Sequence, residues 1–387
     1  MSLNFSFTKE QEELRARVQK VAETYVTPGL KEWDEKEEMP WPALNAFGQA
    51  GLMGIIGKKE FGGLELDYIS LGIVIETLAR TDTTTAMMCS VQNTLTTLTP
   101  GWDADDIREV YKGNKLVCIA TSEEDAGSDV SNISTSAVID GTDYIINGVK
   151  IHVSLMPGAS VMGVSVNVPA SDGETRIEFI KVPSDSPGVT CELMPEMGMR
   201  AHQLARVFFK DVRVPIDSAL GKERGNIKDG KALMYARWNV TRCLSALNAI
   251  GSALQVLDET VEFVKKKEVY GRKIGLNQAV SFPIVEHYTR LEACRLLAYQ
   301  GLWKNVRGED AAREATMSKW HGVTEAIDAI GDCLQMYGAA GYLKDLDVER
   351  RLRDVMGLAF TGGTINVMKL VVVGKVLGKE YMGLSRK

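Results

Sequence analysis

The sequence is poor in the residues that build covalent or metal frameworks. Its 387 residues include only six cysteines and four histidines. Cys89, Cys118, Cys191, Cys243, Cys294 and Cys333 form no Cys-x-x-Cys pair, and His152, His202, His287 and His321 lack ligand-like spacing. These absences argue against a disulfide scaffold and a metal site, and predict reduced core thiols in a cytoplasmic protein. Positive charge is not in excess either. Against 51 acidic residues stand 45 basic ones, a formal charge of -6, which disfavours a nucleic-acid or anionic-membrane surface. No uninterrupted apolar run is long enough for a membrane span, and no secretory apolar segment precedes Lys9. What is present is an ordinary globular composition, 45% hydrophobic and 25% charged. At about 150 residues per domain, the length suggests two or three domains.

Patterning divides the chain into α, β and α segments. Residues 1–115 read as helical. Thr8 and Gln11 form a capping-box signature, Pro28 is expected to close the first helical region, and a second helix follows Pro42 as far as Gly51. Asp67 is expected to cap a third helix, a fourth covers Thr85 to Leu98, and Asp103 caps a short fifth. Over 116–228 the helical period gives way to β-branched segments at Tyr144–Ile146, Val161–Val168, Thr175–Val182 and Val207–Val214. They are separated by turn signals at Asp140-Gly141, Ser171-Asp172-Gly173 and Ser186-Pro187-Gly188. From 229 to 387 long helical periods return over Ala232–Lys267, Gln278–Val306, Ala311–Tyr337 and Thr364–Val376. The expected fold is α+β: an N-terminal helical domain, a middle antiparallel, barrel-like β domain and a C-terminal four-helix bundle.

Five motifs run in order along this framework. They are Ile119-Ala120-Thr121-Ser122-Glu123-Glu124-Asp125-Ala126-Gly127-Ser128-Asp129-Val130; Asn147-Gly148-Val149-Lys150-Ile151-His152-Val153-Ser154; Gly198 through Arg200 to Phe209 and on to Asp211-Val212-Arg213-Val214-Pro215; Tyr270-Gly271-Arg272-Lys273-Ile274 leading to Gln278; and Gln335-Met336-Tyr337-Gly338-Ala339-Ala340-Gly341-Tyr342 followed by Arg353-Asp354. The first resembles the T-E-P-G-A-G-S-D flavin loop of acyl-CoA dehydrogenases, and the second their N-G-x-K-x-W-I-T. All five together resemble that FAD-dependent family over nearly the whole chain.

The resemblance implies a flavoenzyme acting on an acyl-CoA thioester, assembled as a homotetramer, with electron-transferring flavoprotein as redox partner. It implies that Ile119, Thr121, Ser122, His152 and Ser154 lie along the flavin, and that Ser128 touches both cofactor and substrate. Hydroxyls and main-chain donors suit the flavin's polar edge. Lys267, Tyr270, Gln278, Gln335 and Ala339 resemble the part that holds the FAD pyrophosphate and adenosine in a neighbouring subunit, and Thr364 and Asn366 the start of the last helix that contacts FAD. Lys267 stands where the family has arginine, and lysine supplies the charge without arginine's bidentate fork. With Lys265 and Lys266 it also reads as a solvated helix end. Asn239, Arg242 and His202 correspond to the CoA-contacting region, His202 reading equally as a polar residue beside a groove.

The pattern breaks at the chemistry. The family removes an α-proton with a glutamate taken from one of two positions. Those positions hold Gly362, in Phe360-Thr361-Gly362-Gly363-Thr364, and Thr241, immediately before Arg242. Neither residue is a base near neutral pH. Glu124-Asp125 replaces the usual P-G of the flavin loop, and His152 replaces a tryptophan. The catalytic residue is therefore unassigned. Gln92, beside Asn93, and His202 are the weak candidates. Three readings stay open: a redox enzyme for a cyclic or functionalised acyl-CoA with a relocated base; a lyase such as a desulfinase; and an inactive FAD- and CoA-binding subunit.

Overall fold

Short-range signals start the first helices where expected. Thr8 caps α1 (Lys9–Val21) reciprocally: Gln11 N donates to Thr8 Oγ1 at 3.3 Å, and Thr8 N donates to Gln11 Oε1 at 3.0 Å. The computed structural model describes residues 6–99, 101–130, 132–169, 175–220 and 230–383, without the side chains of 230–236. Pro28 does not end the helical region. The chain passes through a π turn (Ala22–Val26) and a 3-10 turn (Thr27–Gly29), then resumes as α2 (Leu30–Lys36). Proline is tolerated because it opens its turn, where a backbone N–H has no partner to lose. Pro42 lies in the first turn of α3 (Trp41–Gln49), and Asp67 Oδ1 starts α4 (Tyr68–Thr81) by accepting from Ser70 N at 2.7 Å. α5 (Thr83–Leu98) and α6 (Ala104–Tyr111) follow. Asp103 occupies the N-cap of α6, but its carboxylate accepts from Lys181 Nζ at 2.7 Å instead of from the helix.

The middle segment folds as one seven-stranded sheet of β1 (Val117–Ala120), β2 (Ser136–Asp140), β3 (Asp143–Ser154), β4 (Val161–Pro169), β5 (Thr175–Pro183), β6 (Val189–Met194) and β7 (Leu204–Pro215). Its order is β1-β4-β2-β3-β7-β6, with β5 also on β4. The long pairings are antiparallel, while β1 joins β4 in parallel. Gly141 and Gly188 make their turns at φ of 63° and 90°; the Ser171-Asp172-Gly173 turn lies outside the described residues.

The rest is helical: α7 (Gly230–Lys266), a minimal hairpin of β8 (Glu268–Val269) and β9 (Arg272–Lys273), then α8 (Gln278–Val306), α9 (Ala312–Met336), α10 (Val348–Leu358) and α11 (Ile365–Val376). Among the described residues one stretch, Arg237–Lys266, is long and apolar enough to cross a membrane. Its most apolar window is 83% buried, as a core helix would be.

The chain packs as two compact units. One gathers the residues up to Leu30, Leu66–Met87 and everything from Arg242 onward. In it, Glu76 on α4 accepts from Arg295 Nε and Tyr299 Oη, both at 2.6 Å, and Arg350 bridges Asp82 and Asp354 at 2.6 and 2.8 Å. The other unit holds Lys31–Glu65 and Met88–Thr241, with a core around Leu95, Trp102, Val117, Val161 and Phe179.

Candidate functional site

In the sheet-bearing unit, β1 delivers Thr121 and Ser122 to its C-terminal end, both half-buried, with Ile119 packed against the core below them. The loop after them is held by a buried ion pair. Glu123 accepts from Lys150 Nζ at 2.8 Å, from Ser134 N and Oγ at 2.6 Å each, and from Thr135 N at 3.0 Å. Lys150, on β3 and fully buried, also donates to Ser165 Oγ at 2.9 Å and to Thr121 O at 3.3 Å. Ser122 O accepts from Ile151 N at 2.9 Å. Burial opposes ionisation of Glu123, but the donors from Lys150 and Ser134 outweigh it and hold its pKa down at about 2. Burial pulls Lys150 down to about 8 against the attraction of Glu123, so the pair is charged at neutral pH. Loop and strand are thereby locked together with the hydroxyls of Thr121 and Ser122 beside them.

Further along β3 the register with β7 shifts between Lys150 and Val153, and His152 sits in that bulge at φ 53°, exposed. A bulge aims one extra residue away from the pleat, and histidine tolerates the left-handed region better than most side chains. Ser154 is half-buried opposite Leu204, and Ser128 is exposed. His202 is 2% exposed, with Nδ1 3.1 Å from Met199 O and 3.3 Å from Glu196 Oε2. Gln92 is fully buried, and both ends of its amide bond the backbone of Val117 at 2.9 Å, while Asn93 binds Ile55 N and Leu52 O. The Gln92 amide thus clamps the start of β1 and the Asn93 amide the turn at Leu52 and Ile55, so both ends of the Gln92 amide are engaged by backbone. Asn239 is half-buried, and Thr241 Oγ1 donates to Trp238 O at 3.2 Å.

In the helical unit, Arg242 is buried and donates from Nη1 to Thr316 Oγ1 at 3.2 Å. Lys319, one turn further along α9, is 1% exposed and donates to Thr361 O and Gly363 O. Between those carbonyls lies Gly362 at φ 66°, followed by Gly363 at φ 102°. Thr364 caps α11, its Oγ1 accepting from Val367 N at 3.3 Å, and Asn366 is exposed in the first turn. Elsewhere on this unit Lys267, Tyr270, Gln278, Gln335 and Ala339 are all exposed. Tyr270 and Gly271, at φ 52° and 71°, form the two-residue tip joining β8 to β9, as a hairpin with left-handed central residues requires.

Three family models cover most of the chain. The N-terminal, middle and C-terminal domains of acyl-CoA dehydrogenase match residues 8–101, 118–212 and 228–377. A 3-(aryl)acrylate reductase from Clostridium sporogenes is 30% identical over 96% of this chain and 99% of its own. The chain belongs to the acyl-CoA dehydrogenase family. Subunit CarC of the caffeyl-CoA reductase–Etf complex of Acetobacterium woodii is 28% identical, over 96% of this chain and all of its own. Butyryl-CoA dehydrogenase from Megasphaera elsdenii, at 24% identity, shares the fold with a TM-score of 0.90 over 97% of this chain and 100% of its own. The chain is thus an acyl-CoA dehydrogenase-family flavoenzyme, an oxidoreductase of a family whose cofactor is FAD.

Three charged residues that the sequence motifs did not single out prove central to these surroundings: Glu123, Lys150 and Lys319. The first two lie inside the flavin-loop and N-G-x-K motifs, but nothing in the spacing of the two motifs pairs one with the other. Lys319 falls on the buried stripe of α9 with Ala315, Gly322, Val323 and Ala326, where a lysine is out of place. Arg353 and Asp354 do structural work instead: Arg353 pairs with Glu349 at 2.7 Å and Asp354 with Arg350.

Proposed function

We propose that this flavoenzyme acts on the CH–CH group of an acyl-CoA thioester whose acyl part is cyclic or otherwise functionalised, using a proton acceptor outside the two positions the family uses. One observation carries the reading. Gly362 has no side chain and a left-handed backbone, and Thr241 has only a hydroxyl already donated to Trp238 O. Neither can take a proton from carbon near neutral pH. The names of the aryl acrylate and caffeyl-CoA reductases support a substrate larger than a short straight chain.

FAD would be held along Ile119, Thr121, Ser122, Ser128, His152 and Ser154, and at Thr364 and Asn366, with Lys267, Tyr270, Gln278, Gln335 and Ala339 serving the phosphates and adenosine of a neighbouring subunit in a homotetramer. The residues suit the group. Hydroxyls flank a rigid β-strand end, Lys267 offers an exposed cation, and the capped N-terminus of α11 adds backbone donors. FAD supplies two-electron oxidation when bound. Ser128, His202, Asn239 and Arg242 would line the CoA thioester, and electron-transferring flavoprotein would be the redox partner, as the Etf complex containing CarC suggests. Anaerobic titration of the holoenzyme with cyclohexanecarbonyl-, 3-arylpropionyl- and butyryl-CoA tests this. Flavin bleaching by the ring-bearing thioesters is expected, and a flavin reduced by none of them would leave the lyase or binding-subunit reading in its place.

A further inference from the structure

We propose that Lys319 is the proton acceptor of this flavoenzyme, and that its substrate carries a ring or branch at Cα or Cβ that enters the space vacated at Gly362. The proposal rests on the functional reading above and deepens it.

The geometry is local to one unit. Lys319 donates to the carbonyls of Thr361 and Gly363, so its Nζ brackets the residue between them. A Cβ built on Gly362 would meet a single heavy atom within 4 Å, Lys319 Nζ at 4.0 Å. The volume beside Gly362 is otherwise open, and Gly362 itself is exposed. A buried amine thus stands at the edge of the space where the family carries a carboxylate.

Its electrostatic setting favours the neutral form. No carboxylate among the described residues pairs with Lys319. The charged group acting on it is Arg242 of α7, which donates to Thr316 one turn away on α9. Burial first, and the positive field of Arg242 second, bring the Lys319 amine down to about 7. Lysines tuned into this range by desolvation are competent general bases. A neutral amine keeps two N–H bonds and one lone pair. Two carbonyl acceptors use the two N–H bonds, and the lone pair is left for a proton.

The substrate Cα–H bond breaks, its electron pair stays on the thioester as an enolate, and the proton forms the third N–H bond of Lys319. FAD, when bound, would supply the two-electron oxidation that removes the β-hydrogen as hydride, the enolate pair closing the Cα=Cβ bond, and the Lys319 ammonium returns its proton to solvent. A glutamate at position 362 would fill the space beside its Cβ, which here is open apart from Nζ at 4.0 Å. A ring or branch at Cα or Cβ would occupy that space, which a straight acyl chain would leave empty.

Proton removal can be read without net oxidation. FAD holoenzyme reduced with dithionite would be incubated in D2O with cyclohexanecarbonyl-CoA or butyryl-CoA, and α-deuterium followed by mass spectrometry. Wild type should exchange the cyclic thioester much faster than the straight one, with a rate that rises as pH passes through about 7. K319R keeps a cation and donors for both carbonyls but cannot deprotonate. It should retain FAD and thioester binding by calorimetry and lose exchange by roughly 10²–10⁴-fold. K319M serves if arginine does not fit. Wild-type exchange in K319R, a flat wild-type pH profile between 6 and 8.5, or no exchange of either thioester overturns the assignment. Lys319-dependent exchange in an enzyme whose flavin no thioester reduces would keep the proton acceptor and discard the redox reading.

Discussion

At the scale of single residues, the arrangement around Gly362 decides what a substitution there can do. Its φ of 66° suits glycine, and a side chain in the left-handed region costs about 1–2 kcal/mol. Space is not limiting, since only Lys319 Nζ comes within 4 Å of the added Cβ. Gly362→Glu is therefore expected to fold with a modestly lowered Tm and to gain oxidation of butyryl-CoA over wild type, read by flavin bleaching. An unchanged rate in a folded, FAD-loaded variant would show that position 362 does not face the reacting carbon. The Glu123–Lys150 pair carries a different prediction. Removing one partner of a buried ion pair strands the other charge, so Lys150→Met should lose about 3–5 kcal/mol in a denaturant titration. Glu123 has a depressed folded pKa, so its contribution is complete above the ordinary carboxylate value near 4.5. It disappears as pH falls from there towards about 2. Thermal unfolding between pH 5 and 2.5 should fall steeply in wild type and less so in Glu123→Gln.

At the scale of elements, α8 and α9 are joined by a histidine held between two carboxylates. His287 Nδ1 lies 2.7 Å from Glu325 Oε1 and Nε2 lies 2.9 Å from Asp332 Oδ2. Burial works against the charged ring, but Asp332 and Glu325 outweigh it and raise the pKa above 6.5. A raised folded pKa stabilises fully below the unfolded value and loses that stabilisation as pH rises through the folded one. Tm should accordingly decline above neutral pH in wild type, and His287→Gln should flatten that decline; parallel curves would mean that folding does not shift the titration of the ring. Helix starts were legible in the sequence because their partners are local: Thr8 finds Gln11 and Asp67 finds Ser70 three residues on. The long helices and most strands followed from periodicity for the same reason. The clamps were not legible. Lys150 meets Glu123 from 27 residues away, His287 meets Glu325 from 38, and Lys319 meets Thr361 from 42, distances at which spacing carries no information. Pro28 misled because a proline at the opening of a turn reads, in sequence, like one that ends a helix.

At the scale of the whole molecule, the helical unit leaves large apolar side chains in water: Tyr270, Leu276, Phe282, Val285 and Tyr342 are all exposed. A closed homotetramer, as proposed, would cover such a surface. Sedimentation should give four chains with about one FAD each, and Lys267→Ala should weaken FAD retention roughly 10- to 150-fold for a lost charge-assisted phosphate contact. A monomer with full FAD occupancy would contradict the shared site. We propose that neither position 362 nor position 241 of this acyl-CoA dehydrogenase-family enzyme holds a base. The most direct test is the rate of flavin bleaching in wild-type holoenzyme mixed with butyryl-, hexanoyl- and octanoyl-CoA. Rates depressed by about 10²–10⁴-fold for want of a positioned base are expected. Bleaching at about 1–10³ per second, the ordinary range for enzymes, would contradict it.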